Sequence, residues 1–581
     1  MYYKLNIDQR TISNLFTDKK SDFLIPDYQR PYAWTEDECA TLWDDLFTFA
    51  FPGNDSDQFD SDNDEYFLGP IVTFKNENGK LEIIDGQQRL TTIMLLLRAF
   101  YSKFEHAQDA NTIDTRKLIS QCIWKTDEFG NANMDKLKID SEVASDDDKE
   151  EFLDILRTGV VTKEMKSKYA ETYRYFAKQI GEFTENYPMY TALLPRRILN
   201  NVILLPIEAE SQDTALRIFS TLNDRGLPLS DADIFKSQFY KYYSNQGQKD
   251  DFIRRWKHLE EQTKKIFKPL RGTPMDELFT RYMYYERALQ GNRNTTTEAL
   301  RDFYEKNRYE LLTRPETLPN LEALADFWER VYTQDEFFSN DVLKLLFILD
   351  YAPNGMWTYL TSVYFMANKD EEGNLDNDAF KDFLERMIAF IWAYAVERPG
   401  VNALRTPVYP EMVSLVNGEP LTFASFKFNK DDIRGRFEAY SFANGRPITK
   451  SMLAWWALRD SDQPLLELSD VYEIEHIYAR KREEAEGSLS DQKSLEALGN
   501  KALLEKRINI RASDYRFEDK KKYYLGYQDK KGNTKEATKI SELKDFAEKR
   551  EDFTEVDIKG RTAQILDAFI SYLDEKGLLV E

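Results

Sequence analysis

The pattern of apolar positions along this chain changes character near residue 246. Before it, short apolar runs suited to strands alternate with stretches of helical period; beyond it the helical period dominates as far as about residue 440. In the first part, Thr35 with Glu38 forms a capping-box pattern that predicts a helix through Phe49. The apolar runs Phe67 to Phe74 and Lys80 to Ile84, separated by Asn76-Glu77-Asn78-Gly79, predict a hairpin. Straight after Ile84 the chain reads Asp85-Gly86-Gln87-Gln88-Arg89 and enters a strongly apolar helix, Leu90 to Phe100. A strand at Ile203 to Ile207, a helix at Thr214 to Leu222, the turn Asn223-Asp224-Arg225-Gly226 and a helix capped by Ser230 with Asp233 complete this part. In the second part Phe347 with Tyr351, and Phe390 with Tyr394, stand at helical spacing, the mark of helix–helix cores rather than of cofactor sites. The remainder holds an entry helix (Ser451 to Arg459), a strand-like segment ending at Glu475-His476, a basic stretch and closing helices. The fold class read from this pattern is α+β and multidomain, with a mixed unit at 1–245, a largely helical one at 246–440 and a third at 441–581.

Composition narrows the functional classes. Hydrophobic residues make up 42% of the chain and aromatics 14%, enough for packed cores. No run approaches the roughly 20 apolar residues of a membrane span, and the opening MYYKLNIDQR lacks an apolar signal core, so the expectation is a cytoplasmic protein without a membrane partner. Two cysteines, Cys39 and Cys122, exclude a zinc ribbon or a disulfide framework, leaving hard metals held by oxygen and imidazole. The net charge of -23 argues against nucleic acid as a partner. Much of that acidity is segregated into Asn54 to Glu65 and Lys369 to Asp378, however, and between Lys501 and Lys531 ten basic residues stand against five acidic ones. That stretch is a modest footprint for DNA, and a solvated charged face explains the charge equally well.

Of three histidines, His106 and His258 lie in charged helical surroundings and read as surface residues, whereas His476 ends the run Val471-Tyr472-Glu473-Ile474-Glu475. Leu498-Gly499-Asn500, Ile508-Asn509 and the lysines Lys520, Lys521 and Lys522 follow. Phosphodiester hydrolysis needs an activated water, a Lewis acid and a group that orients the base. His476 suits the base, Glu475 and the Asn509 carbonyl suit Mg2+ (or Mn2+), and Asn500 could fix the imidazole tautomer. A lysine of the 520–522 cluster would contact DNA at the scissile phosphate. As an isolated dipeptide Glu-His is far more often structural; the ordered set EIEHI, LGN, ALLE and IN is what gives it weight. In that set the sequence resembles the HNH domain of the GmrSD-type, modification-dependent (type IV) restriction endonucleases. The resemblance implies a C-terminal HNH fold of the ββα-metal kind, with His476 as general base and Glu475, Asn500 and Asn509 as metal-binding or orienting residues. Two departures stand out: where the family has a proline soon after EHI the chain reads Tyr478-Ala479-Arg480, and LGNLTLL appears as LGNKALL, which places Lys501 after the asparagine.

The N-terminal part is similar to the same family in Ile25-Pro26-Asp27-Tyr28-Gln29-Arg30-Pro31-Tyr32-Ala33-Trp34, in Phe67-Leu68-Gly69-Pro70-Ile71, in the stretch Ile84 to Thr92, and in Leu222-Asn223-Asp224-Arg225-Gly226 with Leu229, Asp233 and Lys236. Where a strand turns into a helix, Gly86 lets the backbone approach an anion, with the amides of Gln87 and Gln88 at the helix N-terminus and Arg89 able to clamp a phosphate. Asp85 would hold a metal, position a water or cap the helix, and on these residues alone a plain cap is the better reading. The resemblance implies a ParB/sulfiredoxin-like domain that binds and hydrolyses a nucleoside triphosphate and senses modified DNA. It makes Asp85 a catalytic candidate and Gly86, Gln87, Gln88, Arg89, Tyr28, Gln29 and Arg30 nucleotide-site candidates. Tyr32 and Trp34 fit a core as well as a pocket. No GxxxxGK[ST] motif is present.

These readings converge on a metal-dependent DNA endonuclease of a phage-defence restriction system, in which nucleoside triphosphate turnover and sensing of modified phage DNA gate HNH cleavage. Double-strand cleavage from one HNH site per chain would be easier from a homodimer. The alternative is a nucleotide-gated, DNA-binding sensor with an inactive HNH remnant; an RNA-cutting toxin would use the same chemistry.

Overall fold

The computed structural model describes residues 6, 7, 9–54, 56–143, 146–212, 214, 215, 218, 230–398, 400–513 and 516–580. These divide into two units, 1–258 and 259–581. The first is built on a mixed seven-stranded sheet, ordered Asn6–Ile7, Val202–Ala209, Tyr66–Lys75, Leu81–Asp85, Phe23–Ile25 and Ile139–Ser141, with Arg10–Thr11 also pairing with Val202–Ala209. The expected hairpin is there: Tyr66–Lys75 and Leu81–Asp85 pair antiparallel, and Gly79 takes a left-handed φ of 78° in the turn. The capping box at Thr35 forms too, its N–H and Oγ1 both donating to Glu38 Oε2 at 2.6 Å ahead of the helix Glu36–Ala50. The apolar helix runs Gln87–Lys103 and buries residues on every side, because it crosses the unit's interior and packs along Lys168–Asn186. The expected turn Asn223 to Gly226, and the helix from Thr214 beyond Ile218, lie outside the described residues. The capped helix after them is Asp231–Asn245, with Ser230 and Asp233 as its capping box.

In the second unit helices dominate, so the chain is mixed α and β with a largely helical middle. Aromatic stripes do the packing that their spacing implies. Phe390 lies 3.7 Å from Phe423 in a parallel stack and 5.4 Å from Tyr394, and Phe327 stacks on Phe365 at 4.3 Å. Residues 259–440 and 441–581 share this unit: Tyr572, in the helix Glu555–Glu575, donates to the Glu385 carbonyl at 2.9 Å. Against its helices lies a two-stranded antiparallel sheet, Tyr472–His476 with Lys501–Glu505, followed by the helices Lys506–Ala512 and Phe517–Leu525. Among the described residues no helix is long and apolar enough to cross a membrane.

Candidate functional site

The sheet register sets His476 opposite Lys501 and Glu475 opposite Ala502. Successive side chains of a strand point to opposite faces, so the Glu-His pair is split. Glu475 enters the interior beneath the Phe517–Leu525 helix, where its Oε1 accepts from Lys520 Nζ at 2.9 Å and Tyr524 OH at 2.5 Å. Both side chains of the Glu475–Lys520 pair are almost fully buried, at 4% and 1% exposure. Burial first, and the Glu475 carboxylate second, push the Tyr524 phenol far above its ordinary value, so it stays a donor.

His476 projects from the other face, 13% exposed, with Nε2 3.6 Å from Glu496 Oε1, beyond hydrogen-bond length. That nitrogen is buried and has no hydrogen-bond partner among the described residues. Burial, then the positive charge of Lys501, lowers the imidazole pKa to about 4, while Glu496 opposes the fall. The histidine is therefore neutral at pH 7, the form a general base requires. Glu496 is the hub of this face. It accepts from Lys501 Nζ at 2.6 Å and from Arg480, and although burial favours its protonation, Lys501 leads the contacts that hold its pKa below the ordinary glutamate value. Lys501 and Arg480 stand at the two departures from the family pattern, and one carboxylate compensates both. Beside Glu496 opens a groove of about 780 Å³ lined by Tyr440, Phe442, Lys493, Lys559 and Thr562 among others.

Asn500 is fully buried and works on the backbone. Its Oδ1 accepts from Tyr478 N–H at 2.7 Å, and its Nδ2 donates to Tyr478 O at 3.1 Å and Leu495 O at 2.9 Å. It thereby ties the chain just after His476 to the segment carrying Glu496, a different task from the imidazole contact expected of it. Gly499 is required by close approach: a Cβ there would lie 2.0 Å from Ile558 O. Arg561, buried, donates to the carbonyls of Leu498, Gly499 and Lys501 and is neutralised by Glu542 at 2.7 Å. Glu496, Lys501, Arg480 and Arg561 were not singled out as site residues from the sequence. Only the departures at Arg480 and Lys501 offered a signal.

The expected metal pair does not fit a divalent cation as arranged. The Asn509 carbonyl accepts from Ser513 N–H at 2.9 Å and its side chain donates to Glu473 at 3.0 Å, while an ammonium and a phenol already occupy Glu475 Oε1. Among the described residues no group of three or more His, Cys, Asp or Glu is placed to hold a metal. Of the three lysines expected on DNA, Lys520 is buried, Lys521 donates to Arg550 O at 2.7 Å, and Lys522 is the exposed one.

In the first unit the two family-like segments prove to be stitched together. Gln29 Nε2 donates to the carbonyls of Ile83 and Ile84 at 3.2 and 3.1 Å, and Gln87 Nε2 donates to Gln29 Oε1 at 3.0 Å. Gln88 takes the Ala33 N–H at 2.7 Å and gives to Pro31 O at 3.2 Å. Gly86 caps the helix at φ 95°, where a Cβ would meet Ile71 Cγ1 at 3.2 Å. Arg89 donates to Pro70 O at 2.6 Å and lies 3.8 Å from Asp85; a Cβ on Gly69 would clash with its guanidinium at 2.5 Å. Burial raises the Asp85 pKa against the pull of Arg89 and then Arg30, and burial likewise raises Asp233, which Arg30 and Lys236 oppose. Arg30 thus lies within electrostatic reach of both Asp85 and Asp233, and Arg89 of Asp85, at the start of the Gln87–Lys103 helix. Tyr28 faces elsewhere, its hydroxyl 3.4 Å from Glu82 and its ring against Tyr240. Tyr32 is core, bonded to Thr92 at 2.7 Å and stacked on Tyr169, and Trp34 is half-buried against the same core.

One unit thus carries a buried neutral imidazole at a strand end, and the other a helix start flanked by Asp85 and Arg89. Residues 12–240 match the model of the GmrSD restriction endonuclease N-terminal domain, and residues 429–568 match that of the GmrSD restriction endonucleases' C-terminal domain. The chain belongs to the GmrSD restriction endonuclease family, nucleases of phage defence that act on DNA. The comparison with curated proteins gives no match.

Proposed function

We propose that this chain cleaves modified phage DNA with His476 as general base, under the control of nucleoside triphosphate bound in the first unit. The observation that carries the reading is the neutral His476 imidazole at the end of the strand Tyr472–His476, its buried Nε2 without a hydrogen-bond partner among the described residues and facing Glu496, which itself lines an open groove. The order strand, strand, helix across Tyr472–His476, Lys501–Glu505 and Lys506–Ala512 supports an HNH assignment for this region. A water admitted to Nε2 would lose its proton to the imidazole as its oxygen attacks phosphorus, and the scissile P–O ester bond would break, the departing oxygen taking up a proton from solvent. The Glu496 carboxylate would then stabilise the imidazolium. Lys493 and Lys559 on the groove would meet the phosphates on either side.

In the first unit the Gly86 turn would receive the triphosphate, with Arg89 and Arg30 against its charge and Asp85 orienting the attacking water. The fold proposed for this domain is ParB/sulfiredoxin-like, and the site of action is the cytoplasm. The test is cleavage of modified and matched unmodified DNA by the full chain, with Mg2+, with and without triphosphate, beside Asp85→Asn. Modification-dependent cutting whose triphosphate response disappears in Asp85→Asn is the expected result. Equal cutting of both DNAs, indifferent to triphosphate, would remove the gate from the account. The misfit of Glu475 and Asn509 to a metal favours one second reading, a gated DNA-binding sensor without nuclease activity; it predicts modification-dependent binding and no cutting with any divalent ion.

A further inference from the structure

The same strand end that presents His476 carries a carboxylate whose charge is already answered from inside the protein. Lys520 sits one turn into the Phe517–Leu525 helix, and Phe517, Lys520 and Tyr524 fall on its buried face at spacings of three and four. From there the ammonium donates to Glu475 Oε1 at 2.9 Å and also to the backbone carbonyl of His476. Tyr524 reaches the same carboxylate oxygen at 2.5 Å. One lysine therefore grips both the side chain before the histidine and the histidine's own backbone. A buried carboxylate needs a cation, and when an ammonium supplies it the pair is costly to break, because either partner left alone is a buried uncompensated charge.

We propose that Lys520 is a resident cation standing where a divalent metal was expected, and that Glu475, Lys520 and Tyr524 form a metal-independent clamp positioning His476. The clamp gives Glu475 no part in metal binding and Lys520 no part in DNA contact. It rests on the reading of His476 as the base, and its physical content is separable from that reading: it predicts where a metal ion does not bind.

The test is Mn2+ binding to the full chain, read from the signal of free Mn2+ by electron paramagnetic resonance, for wild type and Glu475→Gln. Equal affinity within about twofold is expected. A loss of about tenfold or more in Glu475→Gln, the scale on which metal-site residues act, would make Glu475 a ligand and overturn the clamp. Because this comparison needs no cleavage, its result stands whether or not His476 proves to be the base. The kinetic arm uses Lys520→Met and Lys520→Arg. The clamp predicts a lower kcat with KM for DNA unchanged in Lys520→Met, and partial recovery of kcat in Lys520→Arg, which keeps the buried charge. A raised KM with kcat intact would return Lys520 to the DNA surface and overturn the proposal. Glu475→Gln, which keeps the shape and a hydrogen-bond acceptor, leaves the metal measurement decisive even where Lys520→Met fails to fold.

Discussion

His476 differs from an ordinary histidine in two ways that act together: its pKa lies near 4, and its Nε2 has no partner among the described residues. A general base must be deprotonated, so cleavage is retained down through neutral pH and lost only as pH falls through about 4, rather than through the unperturbed value of about 6.5. The kcat/KM profile of the free enzyme measures this directly. Lys501→Met removes the charge that follows burial as a cause of the depression, and it should move the acid limb upward. A wild-type limb near 6.5 that Lys501→Met leaves in place would show that the cluster does not tune the base. Linkage has the same sign: a depressed folded pKa gives stability that is complete above about 6.5 and drains away as pH falls toward about 4. Asn500 makes a separate prediction. Its replacement by alanine leaves the buried Tyr478 N–H without its side-chain acceptor and two carbonyls without a donor, at about 1–3 kcal/mol for each group left unsatisfied. Thermal unfolding of Asn500→Ala should show that loss, with weaker cleavage at temperatures where the variant is still folded.

Elements explain why motif residues are what they are. Gly499 is glycine because the Glu555–Glu575 helix passes over it, so Gly499→Ala must push that helix away. Overpacking costs about 1–3 kcal/mol in ordinary cores and more against rigid backbone; the unfolding midpoint should fall in Gly499→Ala, whereas in Gly435→Ala, on an exposed helix face with open space for a Cβ, it should hold or rise. Equal midpoints would contradict the packing. Much of this architecture was legible in the sequence. The hairpin, both capping boxes and the aromatic stripes follow from local periodicity and turn chemistry, and they form where expected. What was not legible depends on direction. Glu475 and His476 are neighbours in sequence, yet a strand sends them to opposite faces, a separation that adjacency does not reveal. Lys520, Lys521 and Lys522 looked like one basic patch, but a helix rotates them about 100° apart and Lys520 turns inward. The stripe Phe517, Lys520, Tyr524 was the available signal. Gln29, Gln87 and Gln88 were read for a nucleotide site, the last two through their backbone amides; that their side chains also join two distant segments is something no single segment reveals.

Across the whole molecule the charge of -23 has to be reconciled with DNA as substrate. The groove beside Glu496 is locally balanced rather than acidic, Arg434, Lys493 and Lys559 standing against Glu438, Asp491 and Glu496 along its lining, with Lys493 and Lys559 exposed. Lys493→Ala should weaken DNA binding across sequences and reduce the slope of log affinity against log salt by about 1. Fluorescence anisotropy over a salt series reads both, and an unchanged slope would place the DNA elsewhere. The central claim concerns His476 alone, and it is tested most directly by cleavage of modified phage DNA by wild type and His476→Ala under one set of conditions, with thermal unfolding as the control on folding. The account predicts that His476→Ala loses at least about a hundredfold in rate, the scale of a general base, at an unfolding midpoint close to that of wild type. Cleavage by His476→Ala at the wild-type rate would contradict it.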